Sequence, residues 1–407
     1  ITMAIDNKDK KVLKSSIERE QNEVACSAEC EKIKGSKNLN VPHLRFTEFS
    51  GEWKEELLDR IATLSKGIGI PKEQLSEDGD PCILYGELYT KYKSEIIKQV
   101  ESKTDIDGSK LKRSKANDVI IPCSGETAVD IATARCVPFD SILLGGDLNV
   151  ISLHKYDGAF MSYQLNGKRK YDIARVAQGV SVVHLYGEHL KTIKTYNPTL
   201  PEQQKIAILL SLLDERIATQ NKIIDKLQSL IKGIAQNIVS NNKPNIRLSD
   251  CLDCSSSTLQ ESDVCETGIY PVYGANGIVG YLDNYNTEGE AVYIIKDGSG
   301  VGTVSYATGK CSATGTLNTL QAKDGYSLQY LYYILKVFNF EPYKTGMAIP
   351  HIYFKDYGKA KIFCPSYTEQ LRYARLQSAI DSKLSVEKNI LTSLSSQKQY
   401  LLRQMFI

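Results

Sequence analysis

The sequence has no segment of the kind that enters or crosses a membrane. It contains no run of about 18 consecutive apolar residues. Its first residues, ITMAIDNKDKKVLKSS, are polar and charged and include no apolar stretch typical of a secretory signal. We therefore expect a cytoplasmic chain without membrane contact, in which the ten cysteines are mostly reduced thiols.

The sequence is also poor in metal-ligand patterns. Cys251 and Cys254 form a CxxC, and Cys26 and Cys30 form a CxxxC. A structural zinc site needs a second pair of ligands at short spacing, and neither pair has one nearby. We expect ordinary cysteines and no metal ligands.

The formal net charge is only +2. Proteins that bind nucleic acid strongly usually have a clear excess of basic residues. Because the local distribution of charge matters more than the total, this balance neither indicates nor excludes a nucleic-acid partner.

Nucleotide-binding and methyltransferase motifs are missing as well. There is no G-x-x-x-x-G-K-[ST] and no Pro-Pro pair. The segment YIIKDGSGVGTVSY (293–306) has three alternating glycines, but a dinucleotide site would need a helix after them. Val304 and Tyr306 instead alternate with small residues, which predicts a strand. The glycines then form a hairpin tip, which either needs positive φ or approaches a ligand with bare backbone.

What the chain does contain is an internal repeat. HLYGEHLKTIKTYNPTLPEQQKIAILLSLLD begins at His184, and HIYFKDYGKAKIFCPSYTEQLRYARLQSAID begins 167 residues later at His351. The segment DVIIPCSGETAV (118–129) is a plausible counterpart of AVYIIKDGSGVGTV (291–304). An enzyme active site rarely needs duplication within one chain, so the repeat favours a binding surface that is used twice.

Each half ends in a predicted long helix with a capping box at its start, Thr199–Glu202 in one and Ser366–Glu369 in the other. An apolar seam follows each box, broken by Gln220 in the first helix and by Glu387 and Lys398 in the second. The seam positions are Ile206, Leu210, Leu213, Ile217, Ile224, Leu227, Ile231, Ile234 and Ile238, then Ile380, Leu384, Leu391, Leu394, Leu401 and Met405. We predict that the helices pair antiparallel with Gln220 near the middle. The alternative is that each packs on its own domain.

Two stretches carry a specific resemblance. NVPHLRFTEFSGEWKEELLDRIATLSKG (40–67) and LPEQQKIAILLSLLDERI (200–217) resemble the DNA-specificity subunit of type I restriction–modification systems over residues 40–407. The second half departs from this pattern, because it opens with IRLSDCLDC. The resemblance implies two α/β (α+β) target-recognition domains, separated by two antiparallel coiled-coil helices in a pseudo-twofold repeat. The implied boundaries are an extension at 1–39, recognition domains at 40–198 and 244–365, and spacer helices at 199–243 and 366–407.

The resemblance further implies a non-catalytic, sequence-specific DNA-binding subunit. Each domain would read half of a bipartite, asymmetric site in double-stranded DNA, and the helices would set the spacer. The implied partners are two methyltransferase subunits and restriction–translocase subunits, which use S-adenosylmethionine, ATP and Mg²⁺, while this chain binds no cofactor. The competing hypotheses are a coiled-coil scaffold with two protein-binding modules and an enzyme with an unusual site.

Candidate DNA contacts follow from residue type, because phosphates need cations and small donors whereas bases need planar groups. His184 and His351 either reach DNA or are structural. In the first domain the candidates are Lys112, Arg113, Lys115, Ser124, Lys168, Arg169 and Lys170. In the second they are Tyr273, Asn276, Lys296, Ser299, Gly300, Lys344 and Gly346.

Overall fold

The computed structural model describes residues 39–179 and 181–407. Residues 1–38 of the predicted extension, including Cys26 and Cys30, lie outside this range. The described chain divides into two compact units: unit 1 runs to Ser211 and also contains Gln399–Ile407, and unit 2 is Leu212–Lys398. None of the described helices combines the length and apolar composition that a bilayer-spanning helix needs.

Unit 1 contains many short strands and helices, followed by the start of one long helix. Its strands are β1 (Lys54–Leu57), β2 (Ala62–Lys66), β3 (Leu75–Ser76), β4 (Asp80–Ile83), β5 (Lys103–Thr104), β6 (Asp118–Pro122), β7 (Ser124–Gly125), β8 (Arg135–Val137), β9 (Leu143–Leu144), β10 (Leu148–Leu153), β11 (Val183–His184) and β12 (Lys194–Asn197). Its helices are α1 (Leu58–Ile61), α2 (Glu87–Thr90), α3 (Ala128–Ile131), α4 (Gly158–Asn166), α5 (Lys170–Val176), α6 (Gly187–Lys191) and the first part of α7 (Leu200–Ser240).

Unit 2 has the same kind of composition and contains most of the second long helix. Its strands are β13 (Ile246–Arg247), β14 (Leu252–Ser256), β15 (Tyr270–Gly274), β16 (Gly277–Leu282), β17 (Glu290–Ile295), β18 (Val304–Thr308), β19 (Ser312–Ala313), β20 (Leu317–Ala322) and β21 (Lys361–Ile362). Its further helices are α8 (Leu248–Cys251), α9 (Leu328–Leu335), α10 (Phe354–Tyr357) and α11 (Tyr367–Gln404).

The central sheets of the two units have the same topology. The strand order is β2-β10-β6-β8 in unit 1 and β14-β20-β17-β18 in unit 2, and all neighbours are antiparallel. In unit 1, Val119 and Ile121 face a cluster with the short helices, while Ile120 faces a second cluster on the other side of the sheet. The consecutive apolar residues Val119, Ile120 and Ile121 of β6 are explained by this arrangement, because both faces of the strand are covered.

The duplication also covers the N-terminal strand–helix–strand segment of each unit, where the two sequences differ. A strand, a one-turn helix and a second strand follow one another as β1-α1-β2 and again as β13-α8-β14. The first strand pairs antiparallel with β12 in unit 1 and with β21 in unit 2. The segment IRLSDCLDC, which departs from the opening of the first half, thus folds in the same way.

Each long helix is joined to its own unit by an equivalent glutamine. The Gln203 side chain donates to the carbonyl of Pro198 at 2.8 Å and accepts from the main-chain N–H of Asp157, which caps α4, at 2.9 Å. Gln370 donates to Pro365 at 2.9 Å and accepts from the N–H of Ser327, which caps α9, also at 2.9 Å. The repeated Glu-Gln pair therefore fixes the start of each long helix to a helix of the globular fold.

Within unit 2 the two long helices pair antiparallel, as the seam predicted. The amide of Gln220 contacts Glu387, that of Gln377 donates to the carbonyl of Ile231 at 3.3 Å, and Lys398 pairs with Asp214 at 2.6 Å. The residues that interrupt the seams thus meet one another or a polar partner. Ile224, Ile231 and Leu384 form the apolar contact around them.

The far end of each helix enters the core of the other half of the sequence. Ile238, near the end of α7, packs with Leu248 and Tyr357 in the core of unit 2. Phe406, just beyond α11, packs against Trp53 and Phe160 in unit 1, with ring centroids 6.3 and 5.2 Å away. The core of unit 1 is thus completed by a residue that lies far from it in sequence.

Candidate DNA interface

The glycine-rich loop is the tip of the antiparallel β17–β18 hairpin, which confirms the predicted strand–loop–strand arrangement. Gly298 and Gly302 have φ of 93° and 89°, which disfavours any residue with a side chain. A Cβ at Gly302 would also lie 3.1 Å from the Cβ of Phe340. These two glycines are needed for the backbone path, and a strand follows them instead of the helix that a phosphate site would require.

A second loop holds this hairpin tip in place. The N–H of Gly298 donates to the carbonyl of Pro350 at 3.0 Å, and the N–H of Ile352 donates to that of Lys296 at 2.9 Å. The His351 Nδ1 lies 2.6 Å from a carboxylate oxygen of Asp297. We refer to residues 296–303 and 344–352 as the paired loops of unit 2.

The paired loops contain five of the seven candidates predicted in the second half, namely Lys296, Ser299, Gly300, Lys344 and Gly346. The other two lie on the β15–β16 hairpin. Asn276 is exposed in its turn, whereas the ring of Tyr273 is half-buried against Tyr293 with centroids 5.3 Å apart. The structure thus brings most of the set together and gives Tyr273 a packing role.

Unit 1 has an equivalent pair of loops at the end of β6. Strands β7 and β11 pair Ser124 with His184, and the Ser124 Oγ lies 3.4 Å from the His184 Nδ1. His184 and Gln178 exchange two backbone hydrogen bonds, as His351 and Thr345 do in unit 2. Both histidines therefore support their loops, which agrees with the structural alternative for them. Ser124 also borders a cleft of about 720 Å³.

The arginines in the two basic clusters of unit 1 have protein partners. Arg113 pairs with Asp80 at 2.6 Å and donates to the carbonyl of Ser141. Arg169 pairs with Asp172 at 3.0 Å and donates to the carbonyl of Ile407 at 2.9 Å. Sequence spacing does not reveal such partners, because all but Asp172 are distant along the chain.

The four lysines of these clusters differ in their environments. Lys112 and Lys115 line a cavity of about 330 Å³ together with Asn117 and His154. Burial lowers the pKa of Lys168, and the nearby Arg169 and Arg403 lower it further. Lys170 is half-buried at the start of α5. All four stay predictions as DNA contacts.

The sequence reading of DNA contacts overlooked the exposed apolar and aromatic residues of the loops. Val182 and Ile349 are equivalent in the repeat, as are Tyr186 and Tyr353, and all four are exposed. A lysine amino group lies over each tyrosine ring, Lys66 at 5.5 Å and Lys355 at 5.3 Å. The signal was present in the alignment of QGVSVVHLY with TGMAIPHIY, which keeps these positions apolar or aromatic.

Burial changes the acidity of both thiols of the CxxC pair. Burial raises the pKa of Cys251 to about 12 and that of Cys254 to about 11, so both thiols are neutral near pH 7. Among the described residues no group of three or more His, Cys, Asp and Glu side chains is arranged to hold a metal ion.

Comparison with known proteins identifies the family. A family model for the type I restriction modification DNA specificity domain matches residues 50–229 and again residues 244–396. The chain therefore belongs to the type I restriction–modification specificity subunits. The two matched ranges correspond to the two copies of the repeat.

Individual relatives agree. The type I restriction enzyme EcoprrI specificity subunit of Escherichia coli is 28% identical over 117 residues, which are 29% of each chain. A type I restriction enzyme specificity subunit of Haemophilus influenzae is 34% identical over 89 residues, which are 21% of this chain and 23% of that one. The aligned parts thus span less than a third of these curated relatives.

The fold also matches a solved structure. A type I restriction–modification S subunit from M. genitalium superposes with a TM-score of 0.64 at 20% identity, covering 90% of this chain and 99% of that one. A structure described as showing complex assembly and conformational transition of the type I restriction–modification system has a TM-score of 0.50 at 16% identity, covering 87% and 97% of the two chains. At these identities the likeness shows a shared fold of two repeated α+β units and long antiparallel helices.

Proposed function

We propose that this chain is the non-catalytic, sequence-reading subunit of a DNA methyltransferase and restriction complex that acts in the cytoplasm. Each unit reads one half of a bipartite, asymmetric site with its paired loops. S-adenosylmethionine, ATP and Mg²⁺ are used by partner subunits. The observation that carries this proposal is the repetition of one loop pair, around His184 and His351, at the end of an equivalent strand in each unit.

The chemistry of the paired loops of unit 2 suits a duplex. Lys296 and Lys344 supply cations for phosphates, and Ser299 supplies a small donor. The bare backbone at Gly300 allows close approach to a groove. In unit 1, Ser124 occupies the position of Asp297, because each contacts the Nδ1 of the repeated histidine. Lys66 over the Tyr186 ring adds a cation nearby.

The helix pair supports the proposed spacer and docking roles. Ile223 and Ile390 are equivalent in the repeat, and both are exposed, at 37% and 40%. An antiparallel pair with such a repeat presents two similar apolar patches, which suits two copies of one methyltransferase subunit. Restriction–translocase subunits then join this assembly.

Methylation mapping tests the proposal directly. A bacterial genome that carries this chain and its partner methyltransferase is sequenced for modified adenines, which yields the two half-sites and the gap. Residues 244–365 are then exchanged for the corresponding segment of a relative with a different target. We expect one half-site to change and the other to persist. A change in both half-sites contradicts independent readers, and a failure of the chain to direct methylation to any sequence overturns the proposal.

A further inference from the structure

Each unit exposes apolar residues at the tip of a short loop that the fold does not need for packing. In unit 2 four consecutive residues, Met347 to Pro350, are apolar; the Met347 side chain is fully exposed and Ile349 is 58% exposed. In unit 1 the equivalent of Ile349 is Val182, which is 52% exposed. Single exposed apolar residues are common, but a consecutive apolar run in unit 2, with an exposed apolar residue at the equivalent place in unit 1, points to a function.

The loop of unit 2 is built to hold this tip in one conformation. Thr345 and His351 close it with two backbone hydrogen bonds of 2.9 and 2.7 Å. Gly346 has φ of 90°, and a Cβ there would lie 2.4 Å from the carbonyl oxygen of Ile349. The bond from Gly298 to the Pro350 carbonyl then ties the base of the loop to the glycine hairpin. Little backbone order remains to be gained on binding, which favours the use of the tip as a preformed contact.

The surroundings of the tip decide between possible occupants. Lys296 and Lys344 lie on the same paired loops, where Lys344 pairs with Glu341 at 2.6 Å and Asp297 is held by His351, and Lys355 lies a few residues beyond the tip. An apolar projection flanked by cations fits a partner that has negative charge outside and an apolar stack inside. Double-stranded DNA has that arrangement, because phosphates flank stacked bases.

We propose that the tip formed by Met347 and Ile349 inserts between two stacked base pairs from the minor groove, and that Val182 does the same for unit 1. This inference rests on the proposed DNA-reading function and adds a means of specificity to it. Wedges of this kind unstack a base step and kink the duplex. The cost of unstacking depends on the step and is least at pyrimidine–purine steps such as TA and CA. The loops therefore select flexible steps without any hydrogen bond to a base.

The test uses the full chain assembled with its methyltransferase subunits and a duplex that carries the mapped site. 2-Aminopurine replaces one base at a time through the half-site read by unit 2, since its fluorescence rises when stacking is lost. We expect a rise of several-fold at one step with the native chain. The double variant Met347→Ser and Ile349→Ser should abolish it and weaken binding about tenfold. The same double substitution should change the affinity for a duplex that is already nicked at that step by less than twofold.

Two control substitutions keep the test specific. Ile269→Ser and Ile278→Ser alter exposed isoleucines of the same unit that lie outside the paired loops, and they should leave the fluorescence rise intact. A native complex that binds the mapped site with no rise at any step overturns the wedge while leaving the reading function in place. Loss of methyltransferase binding in the double variant, with the rise preserved, would show that the tip docks protein instead. Absence of sequence-specific binding by the native complex overturns the reading function and the wedge together.

Discussion

The amide of Gln220 donates to the main-chain carbonyl of Glu387 at 3.0 Å and also to its carboxylate, and the two residues are 167 positions apart. They are therefore equivalent positions of the repeat, and they contact each other across the helix pair. Both are buried, at 8% and 6% exposure. A perfect repeat would place two identical side chains here. Because the two residues are instead glutamine and glutamate, one donates a hydrogen bond and the other accepts it. This pairing fixes one register for the helix pair.

Replacing Gln220 tests this pairing. Gln220→Leu should lower the free energy of unfolding by about 1.5–3 kcal/mol, because the charge-assisted hydrogen bonds are lost. The double variant Gln220→Leu and Glu387→Leu should recover most of that loss, since an apolar pair suits the seam. Denaturant unfolding followed by far-UV circular dichroism measures both. A double variant no more stable than the single one would show that the two side chains do not act as a pair.

The same pair predicts a dependence of stability on acid. Hydrogen bonds from Lys383 and then Gln220 lower the pKa of Glu387 below its ordinary 4.5. A group whose pKa is lower in the folded state adds stability above the unfolded pKa and loses it as the pH falls through the folded value. The melting temperature of the native chain minus that of Glu387→Gln should be constant above pH 4.5 and shrink below it. A melting-temperature difference that stays constant down to about pH 3 would contradict the assignment. That pH is chosen because it lies roughly one unit below the ordinary pKa of a glutamate.

Glu202 should matter far more to stability than its repeat equivalent, Glu369. Glu202 is buried and accepts two 2.7 Å hydrogen bonds from Arg45 and one of 3.3 Å from Trp53. Glu369 is exposed and caps its helix reciprocally with Ser366. Glu202→Ala should cost about 3–5 kcal/mol because it strands a largely buried guanidinium. Glu369→Ala should cost at most about 1 kcal/mol.

Tryptophan fluorescence can distinguish the effects of the Glu202 and Glu369 substitutions. Trp53 is the one tryptophan of the sequence, and it is buried in the core of unit 1. Its fluorescence therefore reports the unfolding of unit 1, while circular dichroism reports the whole chain. Glu202→Ala should shift the fluorescence transition and Glu369→Ala should not. Equal shifts from the two variants would mean that the Arg45 contact is unimportant.

The glycine-rich loop should accommodate a side chain at Gly300, and a negative charge on that side chain should weaken DNA binding. Gly300 lacks positive φ, and a Cβ there meets only the end of the Ile295 side chain, at 3.1 Å. Gly300→Asp should keep the fold but weaken DNA binding several-fold at low salt, since it brings a carboxylate towards phosphates. Gly300→Asn is the matched neutral control. Equal losses in the two variants would assign the effect to bulk and not to charge.

The helix pair predicts the gap between the half-sites. Deleting 213–219 from α7 and 388–394 from α11 removes one heptad from each helix, keeps the apolar seam in phase and retains the Gln220–Glu387 pair. One heptad rises about 10 Å, so the unread gap should shorten by about three base pairs of about 3.4 Å each. The bases read should be unchanged in methylation mapping. An unchanged gap would show that the helices do not set the distance.

Features that depend on local periodicity could be predicted from the sequence. The seam on α7, the break at Gln220 and the β17–β18 hairpin are examples, because each rests on spacing within one segment. The equivalence of β13-α8-β14 with β1-α1-β2 could not be found by ungapped comparison. The first half has a longer segment between β2 and β6 than the second half has between β14 and β17, which shifts the offset between the two copies at their N-terminal strands.

Whether a candidate side chain is available to contact DNA depends on whether it already has a protein partner. The sequence does not show partners that are distant along the chain. Arg113 was predicted from its basic neighbours, yet its guanidinium pairs with Asp80. Tyr273 was predicted as a DNA contact, yet its ring packs on Tyr293. The two stretches that carried the family resemblance are also explained by contact, because Arg45 and Trp53 of one meet Glu202 of the other.

The packing of Phe406 on Trp53 and Phe160 has a consequence for the timing of folding. Unit 1 runs without interruption to Ser211, but its core still lacks Phe406, which is synthesised much later. At a synthesis rate of about 5–20 residues per second, the roughly 190 residues in between take about 10–40 seconds. During that interval the pocket around the buried tryptophan stays open to water and to chaperones. The half that is synthesised first therefore reaches its final packing only when Phe406 has been added and has left the ribosome.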